Sequence, residues 1–142
     1  PLNDTIIIRP MHLKDCAACF HLGEKVFTSQ FPNLYRLWDE YEVIGSFTGG
    51  GDKCFVAETG TDRTIIGFVF GDVIKKRRTI CYGYIHWIAV DPQYQRRGIG
   101  SMLYHRVLPV MTEHDNARLI LCDTPADNHS ARQFFLVRLS LL

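Results

Sequence analysis

The run at residues 79–90, Thr-Ile-Cys-Tyr-Gly-Tyr-Ile-His-Trp-Ile-Ala-Val, is apolar on both of its alternations. Tyr82, Tyr84, His86, Ile88 and Val90 fall on one side, and Ile85, Trp87 and Ala89 on the other. A strand that is greasy on both faces needs cover on both, which places it inside a sheet with a layer on either side. Two further strand-like runs precede it, at 54–59 and 65–74, with the short polar separators Thr-Asp-Arg and Lys75-Lys76-Arg77-Arg78. Such separators indicate antiparallel hairpins. The basic tetrapeptide is read as a solvated hairpin tip, because no aromatic residues interleave it.

Helical patterning surrounds this core. Residues 5–9 are rich in β-branched side chains and stop at Pro10, giving a first strand. Leu13, Cys16, Ala17, Phe20 and Phe27 then recur at helical spacing. Leu34, Leu37, Trp38, Tyr41 and Ile44 form the face of a second helix, and Gly49-Gly50-Gly51-Asp52 after it reads as a flexible linker turn. A helix is expected from Gly98 to about Glu113, loosened in its last turns by Pro109. A strand at 118–124 and a short helix at 128–139 complete the chain.

The chain has 142 residues, which suits one domain spanning 1–142. The expected class is α/β: a mixed, mostly antiparallel sheet flanked by helices. Apolar residues make up 46% and the net charge is +1, so neither disorder nor bulk attraction to nucleic acid is expected. No apolar run approaches a membrane span, and the first residues lack a secretory pattern, so a cytoplasmic protein without membrane contact is expected. Five cysteines include a lone Cys16-x-x-Cys19 with no second pair to complete a zinc site. Helix packing accounts for it, and no metal is expected.

The chemistry concentrates in Ile88-Ala89-Val90-Asp91-Pro92-Gln93-Tyr94-Gln95-Arg96-Arg97-Gly98-Ile99-Gly100-Ser101. A buried strand turns tightly into a loop whose glycines open a helix. The unpaired N–H groups of a helix start converge on one point, where the dipole favours an anion. Gly98 and Gly100 carry no Cβ, so a ligand can approach their backbone, and Arg96 and Arg97 add positive charge. These parts suit a pyrophosphate. There is no Lys-Ser/Thr for a nucleoside triphosphate and no third glycine at dinucleotide spacing.

The whole block resembles the acetyl-CoA loop of the GNAT N-acetyltransferase superfamily, whose Gln/Arg-x-x-Gly-x-Gly/Ala pattern follows a strand ending Ile-Ala-Val-x-Pro. Gln95, Gly98 and Gly100 match it. Asn128, Ala131, Phe134 and Phe135 are similar to the family's second cofactor segment, Asn-x-x-Ala-x-x-Phe-Tyr. The resemblance implies acetyl-CoA as cosubstrate. Ile88, Ala89 and Val90 would meet the pantetheine arm, the amides of Arg96, Arg97, Gly98, Ile99, Gly100 and Ser101 would hold the pyrophosphate, and Asn128 and Ala131 would line the arm's other side. Two departures stand out. Phe135 replaces a Tyr proposed in the family to protonate the thiolate, and the chain reads Arg138-Leu139-Ser140-Leu141-Leu142 where the family continues into two more strands. The closing strand pair is therefore expected to be missing, leaving 118–124 as an edge that invites a homodimer.

The resemblance implies direct acetyl transfer to a primary amine. An alkylammonium loses its proton near pH 10.4, so a base helps. Tyr84 and His86 point the same way as Ile88 and Val90, because strand side chains alternate, and so lie near the thioester if the cofactor docks as the resemblance implies. An imidazole with its ordinary pKa near 6.5 accepts a proton at neutral pH, although a core histidine with one structural hydrogen bond fits the same position. Glu58 on a neighbouring strand is the alternative base, and Tyr82 and Tyr84 are candidate acids that buried aromatic packing explains equally well. A backbone N–H near Val90 would stabilise the carbonyl oxygen. Phe31, Tyr35, Trp38, Asp39, Glu40, Tyr41 and Glu42 form an aromatic and acidic wall suited to an amine-bearing small molecule or peptide. A catalytically silent acyl-CoA-binding module with a sensory or scaffold role is the competing reading.

Overall fold

The computed structural model describes residues 4–28, 36–76 and 80–122. The second cofactor segment, with Asn128, Ala131, Phe134 and Phe135, lies outside the described residues, as do Phe31 and Tyr35.

Strand β1 (Ile6–Pro10) leads through a 3-10 turn into helix α1 (Cys16–Val26). Helix α2 (Glu40–Gly50) follows, then β2 (Cys54–Thr59), β3 (Ile65–Lys76) and β4 (Ile80–Val90). After a 3-10 turn at Pro92–Tyr94 come helix α3 (Ile99–Pro109), a π-helical turn at Val110–His114, and β5 (Leu119–Cys122). The sheet order is β1-β2-β3-β4-β5; every pair is antiparallel except β4–β5, which is parallel. The expected mixed, mostly antiparallel sheet and the interior place of β4 are both observed. Pro109 ends the α-helical part of α3 and a wider turn follows, as a residue without an N–H requires.

The two layers follow from period-2 alternation. Phe55, Ala57 and Val69 face α3, where they meet Leu103, Tyr104 and Val107, all buried. Cys54, Val56, Phe68 and Phe70 face α1 and α2. On that side Trp38 stacks on Phe68 at 5.4 Å between ring centroids and donates from its indole N–H to the Phe20 carbonyl at 2.9 Å. Among the described residues no helix is long and apolar enough to cross a membrane.

Two expectations require correction. Leu34 lies outside the described residues, and the helix that carries Tyr41 and Ile44 does not extend back through Leu37 and the buried Trp38. It starts at Glu40, where the Asp39 side chain accepts from the Glu42 N–H at 2.9 Å. Val43 and Gly50 are its buried positions, while Leu37, Tyr41 and Ile44 are exposed. Nor is Gly49-Gly50-Gly51-Asp52 a flexible linker. The helix runs through Gly50 and passes directly into a 3-10 turn over Gly51–Lys53. A Cβ on Gly50 would lie 2.5 Å from the Gly71 carbonyl oxygen, so the missing side chain lets α2 close onto β3.

A third correction concerns the functional strand. Phe70 pairs with Trp87, but Gly71 pairs with Ile85, so His86 is an extra residue, a β-bulge. The bulge exchanges the faces of the strand. Ile85 belongs to the α3-side core, whereas Trp87 and Ala89 belong to the α1–α2 side. Ile88 and Val90 pack against the α3-side core, and His86 meets α2 instead. Simple alternation would have aligned all three.

Candidate functional site

The mouth of α3 is built on backbone conformation. Gly98, the N-cap, has φ 77° and ψ 12°, and Arg96 has φ 67°. Left-handed residues beside a helix start turn successive N–H groups toward one concavity. The first helical bond runs from the Met102 N–H to the Gly98 carbonyl at 2.9 Å. The N–H groups of Ile99, Gly100 and Ser101 thus precede the helix's own acceptors. Among the described residues nothing lies within 4 Å of a Cβ built on Gly98, so none of them blocks the approach. Ile99 is buried and anchors the turn, while Arg96 and Arg97 are exposed. The Arg97 guanidinium lies 5.0 Å from the Tyr94 ring centroid. Segment 95–101 contains no acidic residue, so the mouth carries positive charge uncancelled by its own sequence.

The adjoining loop is tied down at both ends. The Asp91 N–H donates to the Ile66 carbonyl at 2.7 Å, and its carboxylate accepts from the Gln93 N–H at 2.9 Å. Lys25 on α1 pairs with the same carboxylate at 2.9 Å. Because Asp91 directs its N–H toward β3, the backbone groups of Ala89 do likewise and those of Ile88 and Val90 face away. Gln95 confirms the direction at one point, donating from its side-chain amide to the Val90 carbonyl at 3.2 Å. Among the described residues β5 pairs only with 82–85. Among the described residues the remainder of β4 has no strand partner on the side beside the α3 mouth, the side that the Ile88 and Val90 N–H groups face.

A second feature lies across the bulge. His86, Tyr41, Glu42, Gly45, Ser46 and Asp72 line a cavity of about 260 Å³ between α2 and the sheet. His86 Nε2 is 3.8 Å from Asp72 Oδ2, and its ring centroid is 4.6 Å from that of Tyr84. The other Asp72 oxygen accepts from the Val73 N–H at 2.8 Å. Glu42 accepts from the Trp87 indole N–H at 3.1 Å, which fixes the carboxylate on the groove wall. His86 and Tyr84 are thus brought together, with Glu42 and Tyr41 from the expected acidic and aromatic wall. Asp72 was not anticipated. Its signal was a single carboxylate inside the otherwise apolar run 65–74.

Glu58 stands elsewhere. It is buried, and Arg9 lies 3.1 Å from its carboxylate while making two bonds to Asp15 at 2.8 and 3.0 Å. Burial alone pushes the Asp15 carboxyl up. The Arg9 hydrogen bonds and charge, with the His12 N–H, outweigh it and hold the group below the usual carboxylate range. The Asp15 bonds raise the Arg9 guanidinium further still, against the cost of burial. Burial likewise pushes the Cys19 thiol far up, and the Cys54 thiol up to about 12.

The fold and site together define an α/β domain with a clear, positively charged helix mouth next to a strand edge that is unpaired among the described residues. The chain belongs to the acetyltransferase (GNAT) family, whose model matches residues 20–139. It is similar to N-alpha-acetyltransferase 30 of Xenopus laevis, with 30% identity over 82 residues, 58% of this chain and 29% of the relative. The chain thus spans under a third of the length of that curated relative. Among solved structures it resembles the NatC complex bound to Gag peptide and CoA, with a TM-score of 0.79 and 19% identity over 94% of this chain and 82% of that one. It also resembles the PaiA N-acetyltransferase of Thermoplasma acidophilum in complex with coenzyme A, with a TM-score of 0.73 and 14% identity over 94% and 88%. At these identities the structural likenesses establish the fold.

Proposed function

We propose that the chain is an acetyl-CoA-dependent N-acetyltransferase that passes the acetyl group directly to a primary amine of a small molecule or peptide. The observation that carries this reading is the adjacency of the clear, cationic α3 mouth and the β4 edge left unpaired among the described residues. The mouth fits a pyrophosphate through the N–H groups of Gly98, Ile99, Gly100 and Ser101, and the edge fits an amide-bearing arm through Ile88 and Val90. The reactive thioester is supplied by acetyl-CoA. The Ile88 and Val90 N–H groups stabilise negative charge on the thioester oxygen as it develops. His86 takes the proton from the incoming ammonium, and Tyr84 stands beside it as the second proton-transfer group. Glu58 is not given the role of base, because Arg9 engages its carboxylate. The NatC structure with bound peptide and the N-alpha-acetyltransferase relatives support a peptide amine as one acceptor class. Exposed Leu119 and Leu121 on β5 support self-association through that edge, which sedimentation over a concentration series tests.

Thiol release from acetyl-CoA across an amine panel tests the function. Release should require the amine, and His86→Gln should lower kcat by roughly a hundredfold or more while calorimetry shows CoA affinity close to the parent's. Tight CoA binding with no release on any amine would favour a silent binding module.

A further inference from the structure

The loop that carries the α3 mouth hangs from Asp91. The Asp91 N–H donates to the Ile66 carbonyl at 2.7 Å, and its own carbonyl accepts from the Tyr94 N–H at 2.8 Å. One carboxylate oxygen accepts from the Gln93 N–H at 2.9 Å and caps the 3-10 turn at Pro92–Tyr94. The other accepts from Lys25 Nζ at 2.9 Å, which ties the root of the loop to α1, a different layer of the fold. Asp91 also matters by its charge. It is the only acidic residue between Asp72 and Glu113, and so the one carboxylate in the segment that builds β4, the loop and α3. A negative charge at the root of a diphosphate site opposes binding, and a lysine paired with it cancels that opposition.

The helix that carries Lys25 is a firm post. Asp15, just ahead of α1, is bonded to Arg9 on β1 at 2.8 and 3.0 Å. In the last turns Gly23 is pressed against the Trp38 ring, where an added Cβ would lie 2.1 Å away. The Asp91 side chain is only 13% exposed, but that of Lys25 is 49% exposed, so the pair contributes little to overall stability. Its effect falls on the loop that it fixes. Resting on the transferase reading above, we infer that Lys25 is a positioning residue for coenzyme A, acting through Asp91. It holds the carboxylate against the Gln93 N–H, so that the turn leads into the left-handed conformations of Arg96 and Gly98. It also cancels the Asp91 charge where the diphosphate must approach. The action is indirect and needs no bond between Lys25 and the ligand.

Calorimetry with coenzyme A at low ionic strength tests this on the parent, Lys25→Met, Lys25→Arg, Asp91→Asn and the double variant Asp91→Asn/Lys25→Met. Lys25→Met should raise Kd about fivefold, and Lys25→Arg, which keeps the charge, should stay within about twofold of the parent. In the Asp91→Asn background the neutral amide still offers an oxygen to the Gln93 N–H. There Lys25→Met should change Kd by less than about twofold, because the two residues act as one unit. In turnover assays the loss should appear in KM for acetyl-CoA, with kcat at saturation close to the parent's. Melts without ligand should shift by less than about 2 °C. A Lys25→Met variant that binds coenzyme A within twofold of the parent, whatever its Tm, overturns the inference and leaves the transferase reading intact. An equal loss of affinity in both backgrounds also overturns it, since Lys25 would then act on the ligand directly. Failure of the parent itself to bind coenzyme A would instead sink the transferase reading, and this inference with it.

Discussion

Replacing Gly98 separates backbone conformation from packing, because among the described residues nothing lies within 4 Å of a Cβ at that position. The cost of Gly98→Ala is therefore the left-handed conformation alone, φ 77°, worth about 1–2 kcal/mol for an L-residue. The lower entropy of the unfolded alanine chain works against that cost and offsets roughly 0.5 kcal/mol of it. A net loss of about 1 kcal/mol remains, or about 3 °C in Tm for a chain of this length. If the mouth also relaxes away from φ 77°, its N–H groups diverge and CoA binds about tenfold more weakly. At a CoA concentration near a hundred times the parent's Kd, the ligand stabilises the parent by about 2.7 kcal/mol and the variant by about half that. Thermal melts with and without CoA read both numbers. Gly98→Asn, which tolerates the left-handed region, should recover most of the stability. Equal losses for alanine and asparagine, or an undiminished CoA shift in Gly98→Ala, would refute the conformational argument.

Gly23→Ala should be far worse than Gly98→Ala, because its Cβ would lie 2.1 Å from the buried Trp38 ring; a loss of roughly 3 kcal/mol or more is expected in urea denaturation. Asp15 is held below its unfolded carboxyl range, so its contribution is present above about pH 4 and fades as pH falls through the lower folded value. Asp15→Asn should accordingly destabilise by roughly 1–3 kcal/mol at neutral pH, with the gap to the parent narrowing in melts at progressively more acid pH. Cys19 and Cys54, buried and with thiols pushed up by desolvation, should resist maleimide in the native protein and react only on unfolding, as mass spectrometry would show.

The legible parts of this protein are those where one local pattern has one physical outcome. The double-sided apolar run at 79–90 forces an interior strand, and Gly98 and Gly100 before a helical stripe force an open helix start. The bulge was hidden for the same reason that the strand was obvious. With apolar side chains on both alternations, an extra residue at His86 leaves no trace in the pattern, yet it sends His86 to the opposite side from Ile88 and Val90. Helix α2 reads as beginning too early because Leu34, Leu37, Trp38, Tyr41 and Ile44 carry helical spacing. The Asp39-x-x-Glu42 capping signal, which did mark the start, was outweighed by that periodicity. Gly50 likewise read as a breaker, since a close approach to Gly71 is a tertiary event with no local signature.

Backbone amide spectra recorded while coenzyme A is titrated into the protein test the central arrangement most directly. The account predicts that the resonances of Gly98, Ile99, Gly100 and Ser101 move together with those of Ile88 and Val90, while Arg9 and Glu58 stay still. Saturable shifts elsewhere, with the helix mouth and the open strand edge both silent, would contradict it.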